Sequence, residues 1–136
     1  IAFYLAKLAK KHGAKTIHFA CLLFGAISFL WFPTIQNQYV FFAVIIGYGI
    51  AWASMMGIPY LMVVAVIPKE RYGVYMGIIN MMIVIPMIIQ NLSFGYILKN
   101  FLDNDPRQAI SFAGVLLMLA AICTLLIKIK NTKVSE

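Results

Sequence analysis

The sequence predicts an all-α integral membrane fold, with four transmembrane helices and the end of a fifth, and three observations lead to this prediction. Of the 136 residues, 63% are hydrophobic and 11% are charged, whereas soluble domains have about 45–50% apolar and about 25% charged residues. The mean hydropathy is +0.92. The charged residues also lie in clusters, which leaves four long uncharged stretches between them. This composition excludes a soluble enzyme, a disordered tail and a small disulfide-stabilised secreted domain.

The four uncharged stretches are long enough to cross the bilayer, because its ~30 Å hydrocarbon core takes about 20 helical residues. The predicted transmembrane helices cover residues 16–35, 39–67, 73–98 and 109–127. The second of them is longer than the bilayer requires, so we expect it to tilt or overhang. Residues 1–8 are mostly apolar but too short to cross, and we expect them to be the end of a preceding transmembrane helix. The chain is then expected to be the C-terminal piece of a larger multi-pass protein.

The connections between these helices alternate in charge. Basic residues cluster around the loops 9–15 and 68–72 and in the tail 128–136, whereas the loop 99–108 balances two basic residues against two acidic ones. The Lys and Arg residues on the first side number nine, against two on the other: Lys7, Lys10, Lys11, Lys15, Lys69, Arg71, Lys128, Lys130 and Lys133 against Lys99 and Arg107. By the positive-inside rule, the more basic side and the C-terminus face the cytoplasm and 99–108 is extracytoplasmic. We expect a multi-pass protein of the inner or plasma membrane.

The net charge of +7 raises the question of a nucleic-acid partner. Here the basic residues flank apolar runs and form no face of their own, so we expect the lipid bilayer as partner and no nucleic acid. Cys21 and Cys123 both fall inside apolar runs, where a buried thiol is more common than a disulfide or a metal ligand. No nucleotide loop, catalytic triad or zinc spacing occurs in the sequence. We therefore expect neither an enzyme nor a metal site.

Two prolines lie inside predicted transmembrane helices. Pro59 and Pro86 cannot donate a backbone hydrogen bond to the preceding turn, so we expect both helices to kink. The carbonyls that lose a partner are tolerated at membrane depth only beside protein or a water-filled cavity. Small residues at a spacing of four, including Gly73 and Gly77, favour close helix packing. A sliding surface between moving helices would use the same contacts, and the sequence leaves both interpretations open.

Uncharged polar residues and aromatic rings inside two predicted helices form the candidate binding set: Trp52, Tyr60, Asn80, Gln90 and Asn91. Asn80 and Asn91 are eleven residues apart, which brings them to within about 20° of the same helix face. A tryptophan ring can stack on the apolar face of a sugar while amides bind its hydroxyl groups. The alternative is that these amides bond across helices and stabilise packing by ~1 kcal/mol each.

No Asp, Glu, Lys or Arg lies inside the four uncharged stretches. Ion coupling usually depends on an ionisable residue inside the membrane. Either the coupling residues lie in helices outside this chain, or the solute crosses without a coupling ion.

Three runs of the sequence resemble one transporter family. The run GIAWASMMGIPY at residues 49–60 resembles the tenth helix of major facilitator transporters of the sucrose and glycoside symporter branch. Residues 68–86 resemble the tenth loop and eleventh helix of that branch. Residues 8–15 are similar to the basic signature loop of the superfamily where it recurs between helices eight and nine. Two positions depart from the pattern: Met87 replaces a frequent Gln, and Lys10 replaces an acidic residue.

The resemblance implies twelve helices in two halves, alternating access, and a sugar site at the midplane between the halves. It implies a disaccharide or glycoside as substrate, the N-terminal half of the same transporter as partner, and H⁺ or Na⁺ as the coupling ion, with no other cofactor. Cytoplasmic gate loops would then contain Gly13, Glu70, Arg71 and Gly73. Two alternatives stay open: a major facilitator transporter of a small solute other than a sugar, and a non-transporting multi-span scaffold subunit.

Overall fold

A computed structural model describes residues 2–127, and its side chains from residue 3 onward. The described residues form five α-helices and two short 3-10 turns, with no strand among them. The helices are α1 (Ala2–His12), α2 (Ala14–Trp31), α3 (Gln38–Val64), α4 (Tyr72–Phe101) and α5 (Pro106–Leu126). The 3-10 turns are Phe32–Thr34 and Lys69–Arg71. The tail 128–136, predicted to be cytoplasmic, lies outside the described residues.

Four of the helices, with their adjoining 3-10 turns, are long and apolar enough to cross a membrane. They are Ala14–Thr34, Gln38–Val64, Lys69–Phe101 and Pro106–Leu126. The sequence placed its four transmembrane helices over 16–35, 39–67, 73–98 and 109–127. This architecture confirms the predicted all-α membrane fold class.

The start of the chain differs from the expected helix end followed by a basic loop at 9–15. Helix α1 continues through the basic residues to His12, and α2 begins at Ala14, so Gly13 alone separates the two helices. Ala, Leu and Lys, which make up most of this segment, are all good helix formers. Gly13 has a φ of 92°, a left-handed conformation that favours glycine and interrupts the helical path.

Two helices on the other side of the bundle begin with side-chain caps. Asn37 accepts a 2.9 Å hydrogen bond from the backbone N–H of Tyr39 at the start of α3. Asp105 accepts a 2.8 Å hydrogen bond from the N–H of Arg107 at the start of α5. Pro106 occupies the first turn of α5, where its missing N–H costs no helical bond. The turn between α4 and α5 is therefore short and lies inside the predicted loop 99–108.

Helix α2 is the centre of the packing and lies between α3 and α5, while α1 contacts α2 and α3. The buried residues of α3 are spaced alternately by three and four positions, as expected for one stripe along a helix. That stripe comprises Val44, Gly47, Ala51, Ser54 and Ile58. By contrast, α4 has no buried residue within the described chain and touches α3 only lightly.

Small residues allow α2 and α3 to approach closely. A methyl group on Gly25 would lie 2.5 Å from Cβ of Ala51, and one on Gly47 would overlap the Ser28 side chain. Gly73 and Gly77, which the spacing predicted for close packing, do not share this role. Among the described residues, a Cβ on either of them, or on Gly49 or Gly57 of α3, would have nothing within 4 Å. The close contact between α2 and α3, called the α2–α3 seam below, is therefore formed at Gly25 and Gly47.

The interior prolines leave their helices continuous. Pro59 lies within α3 and Pro86 within α4, and each helix runs on past its proline. The kinks expected at these two positions stay predictions.

A lysine joins the start of α2 to the end of α5. The ammonium group of Lys15 donates hydrogen bonds of 2.7 Å to the carbonyl oxygens of Leu125 and Ile127. A cation at a helix C-terminus satisfies carbonyls that have no intrahelical partner and interacts favourably with the helix dipole. The two helix ends therefore lie on the same side of the bundle, the arrangement that the alternating charge of the connections requires.

Candidate solute-binding site

Two of the predicted site residues meet across neighbouring helices. The hydroxyl of Tyr60 on α3 donates a 2.5 Å hydrogen bond to Oδ1 of Asn80 on α4. Tyr60 is half-buried and Asn80 is exposed. In the part of the chain that the structure describes, no hydrogen bond engages Nδ2 of Asn80. This bond fixes the orientation of the amide and leaves its two N–H donors available to a ligand.

Trp52 lies on α3 about two turns before Tyr60 and is held by aromatic neighbours. Its ring centroid is 6.0 Å from that of Tyr48, and Tyr48 stacks on Phe29 of α2 with ring centroids 4.9 Å apart. The Trp52 side chain is 49% exposed. The eight-residue separation turns Trp52 about 80° away from Tyr60 around the helix. The structure thus leaves about half of the Trp52 side chain exposed but does not bring it into contact with the Tyr60–Asn80 pair.

Gln90 and Asn91 lie farther along α4, about 15 Å from Asn80 at a rise of 1.5 Å per residue. Gln90 lines a groove of about 490 Å³ between α4 and α5, together with Pro86, Ser93 and Phe112. Apart from Gln90 and Ser93, the residues that line this groove are apolar. Asn91 is exposed on α4. The five predicted residues therefore form one bonded pair and separate groups along the helices α3 and α4.

The residues predicted for the gate lie in two short connections. Gly13 separates α1 from α2, and Glu70 and Arg71 form most of the 3-10 turn that leads into α4. Gly73 follows in the first turn of α4 and, like those two side chains, is exposed. Both connections lie at basic ends of their helices, but their part in gating stays a prediction.

One polar contact was missed by sequence reasoning that considered only Asp, Glu, Lys and Arg. Nδ1 of His18 on α2 lies 2.8 Å from Oγ of Ser54 on α3. The two side chains are 8% and 0% exposed. The signal that could have revealed this contact is a single His inside the predicted helix 16–35, because an ionisable residue at membrane depth is uncommon.

Comparison with known proteins identifies the family. A family profile described as Major Facilitator Superfamily matches residues 1–136. The chain belongs to the Major Facilitator Superfamily. Members of this superfamily are transporters and not enzymes. Comparisons with curated proteins and with solved structures gave no significant match.

Membership of the Major Facilitator Superfamily confirms the resemblance at the level of the superfamily. Together with the four apolar helices, it makes the chain part of a multi-pass membrane transporter. The sucrose and glycoside branch, the sugar substrate and the cytoplasmic orientation of the C-terminus stay predictions.

Proposed function

We propose that this major facilitator chain takes part in secondary active transport of a disaccharide or glycoside by alternating access, with α3 and α4 lining the solute path. The observation that carries the proposal is the Tyr60–Asn80 hydrogen bond. It joins a phenol and a primary amide across two helices and leaves the amide donors open. Uncharged donors and acceptors of this kind match the hydroxyl groups of a sugar.

The surroundings of the pair support a neutral solute. No Asp, Glu, Lys or Arg lies between residues 16 and 68, between 72 and 98, or between 108 and 127. A charged solute would need a counter-charge at membrane depth, because an unpaired ion is costly there. The half-exposed ring of Trp52 adds an apolar surface on which a pyranose ring can stack.

The exposure of α4 supports a partner outside this chain. An apolar helix of 30 residues with none buried has most of its contacts still to make. We propose that the N-terminal half of the same transporter lies across the solute path from α4. Under this proposal the connections at Gly13 and at Glu70, Arg71 and Gly73 close the cytoplasmic side, and H⁺ or Na⁺ supplies the driving force.

The α4–α5 groove favours a second candidate, a transporter of a less polar small solute. Its volume of about 490 Å³ falls within the usual range for small-molecule sites, about 300–1,000 Å³. Its lining is mostly apolar, with the amide of Gln90 as the main polar group.

Uptake by the reconstituted full-length transporter tests the proposal. Labelled sucrose and maltose are offered to proteoliposomes with and without a proton or sodium gradient. We expect gradient-dependent uptake of at least one sugar, reduced about fivefold or more in Asn80→Ala and Trp52→Ala, since one lost hydrogen bond is worth about 1 kcal/mol.

Asn100→Ala is the matched control, because among the described residues Asn100 bonds only its own helix, at the carbonyl of Tyr96. Sugar uptake that is unchanged by Asn80→Ala and Trp52→Ala would show that the site is wrong. Uptake of neither sugar would direct attention to the second candidate, and to a scaffold role if no solute is moved.

A further inference from the structure

His18 occupies an unusual position for an ionisable residue. Among the described residues of the four apolar helices, apart from their terminal turns, His18 is the only side chain of a type that ordinarily gains or loses a proton between pH 5 and 8. It lies four residues after the start of α2 at Ala14, a rise of about 6 Å. This end of α2 is the basic end of the bundle, where Lys15 holds the end of α5.

The imidazole of His18 is packed against α3. Its Nδ1 atom lies 2.8 Å from Oγ of Ser54, which is fully buried. Cys21, one turn further along α2, is also buried and its thiol lies close to the Ser54 hydroxyl. A neutral imidazole can make this bond in either tautomer, as donor or as acceptor. An imidazolium can only donate to Ser54, and it adds a full charge to a largely buried side chain.

Within residues 2–127, no acidic group on the helices packed against α2 compensates a charge on His18. The helices that pack on α2 carry no Asp or Glu in their described residues, and no hydrogen bond in residues 2–127 joins the imidazole to any ionisable group. The ionisable groups on those helices are Tyr4, Lys7, Lys10, Lys11 and His12 of α1, Tyr39, Tyr48 and Tyr60 of α3, and Arg107 and Cys123 of α5. On α2 itself they are Lys15 and Cys21.

We propose that His18 is a proton-binding site whose protonation separates α2 from α3 around Ser54 and so shifts alternating access toward the state in which this end of the bundle is open. The proposal rests on the proposed secondary transport. A proton from water at the basic end adds to a ring nitrogen, and the same proton returns to that water when the helices pack again. Among the described residues the positive charge has no partner in the packed state, and burying an unpaired ion is costly. By linkage, a site that is protonated more easily in the open state shifts the protein toward that state as pH falls.

The packing of α2 on α3 is compatible with opening at one end. The closest approaches, Gly25 to Ala51 and Gly47 to Ser28, lie away from His18 toward the opposite end of α2. These contacts can act as the pivot while the His18–Ser54 contact breaks.

Alkylation of Cys21 tests the proposal without knowledge of the solute. The full-length protein in proteoliposomes is treated with N-ethylmaleimide, and labelling of Cys21 and Cys123 is quantified by mass spectrometry of their peptides. Cys123 is exposed on α5, so the Cys21 to Cys123 ratio removes much of the direct effect of pH on thiol reactivity. We expect the ratio to rise about fivefold between about pH 7.5 and about pH 5.5.

His18→Gln should abolish this rise, and His12→Gln, a matched change at an exposed site outside the four spans, should retain it. If His18→Gln does not fold, Ser54→Ala provides the second variant, because loss of the bond should move the midpoint of the rise to a different pH. A ratio that does not change with pH in the wild type, or that rises equally in the wild type and in His18→Gln, would overturn the proposal. So would an unmoved midpoint in Ser54→Ala.

A transport measurement separates this proposal from the proposed function. In His18→Gln, the dependence of sugar uptake on the pH at the basic end should disappear, whereas a purely structural defect would lower uptake alike at every pH and contradict a switching role. If neither sugar is moved but the Cys21 ratio still depends on His18, the proposed solute is wrong and the proton site stands. If sugar is moved and the ratio is flat, the proton site is wrong and the proposed function stands.

Discussion

The hydroxyl of Tyr60 donates a hydrogen bond to the side-chain oxygen of Asn80, and within the described residues this is the one side-chain hydrogen bond between α3 and α4. Because α4 makes few other contacts in this chain, the bond sets which face of α4 is turned toward α3. It also gives a shared orientation to two groups that can bind a neutral polar solute. The relative positions of the two helices in transport should therefore depend on this pair.

Removing the Tyr60 hydroxyl should weaken the link between α3 and α4. Tyr60→Phe deletes the donor and leaves the Asn80 oxygen without it. Interhelical hydrogen bonds in membranes contribute about 0.6 kcal/mol on average, so we expect kcat/KM for uptake to fall about threefold. Tyr75→Phe is the control, because Tyr75 is exposed on α4 and makes no side-chain hydrogen bond in the described structure. Equal uptake kinetics for the two variants would show that the Tyr60–Asn80 bond has no role in transport.

A methyl group at the α2–α3 seam should destabilise the bundle. In Gly25→Ala the new Cβ would lie 2.5 Å from that of Ala51, which cannot move without the backbone. Overpacking of this kind costs about 1–3 kcal/mol, which thermal unfolding in detergent should show as a lower Tm. Gly49→Ala places the same methyl group in open space on α3 and should leave the Tm unchanged or higher. A Tm that falls equally in both variants would contradict the close packing of α2 on α3 at Gly25.

The Lys15 cap should protect the end of α5. Lys15→Gln removes the cation that binds the carbonyls of Leu125 and Ile127. A cation at a helix C-terminus contributes about 0.3–1 kcal/mol, so the last turn of α5 should exchange its amide hydrogens about two- to fivefold faster. Hydrogen–deuterium exchange of the peptide that contains residues 121–127 measures this, with Lys11→Gln as the control. Identical exchange in both variants would show that the cap does not stabilise the helix end.

Side-specific labelling tests the predicted orientation. Lys11 lies at the basic end of α1, and Gln36 lies in the uncharged connection between α2 and α3. By the positive-inside rule, a cytoplasm-specific thiol reagent should label Lys11→Cys and not Gln36→Cys. Lys130→Cys, in the tail beyond the described residues, should behave like Lys11→Cys. Labelling of Gln36→Cys from the cytoplasm would reverse the orientation.

The fold class could be predicted because the bilayer imposes a simple rule on the sequence. Runs of about 20 apolar residues must be helical there, since every backbone polar group needs an internal partner. The helix at residues 9–12 was not anticipated, because charge indicates a loop at the membrane surface but does not prevent a helix. Only the left-handed backbone at Gly13 ends α1, and the sequence does not display a dihedral angle.

The candidate site could be predicted only in part. Helical periodicity placed Asn80 and Asn91 on one face, but it contains no information about which helix packs beside that face. The Tyr60–Asn80 bond, the distant position of Gln90 and the His18–Ser54 contact depend on which helices meet. The seam residues show the same limit, since Gly47 and Gly49 are alike in sequence but only Gly47 meets α2.

The proposed function requires the Asn80 face of α4 to line a water-filled solute path, and cysteine accessibility along α4 tests this claim. A membrane-impermeant, water-soluble thiol reagent is applied to Asn80→Cys, Asn91→Cys and Met82→Cys in the full-length transporter. Met82 lies about 200° around the helix from Asn80, on the opposite face. We predict rapid labelling at positions 80 and 91, slowed at 80 by the transported solute, and little labelling at 82. Labelling of position 82 as fast as position 80, or no labelling at 80 from either side of the membrane, would contradict the claim.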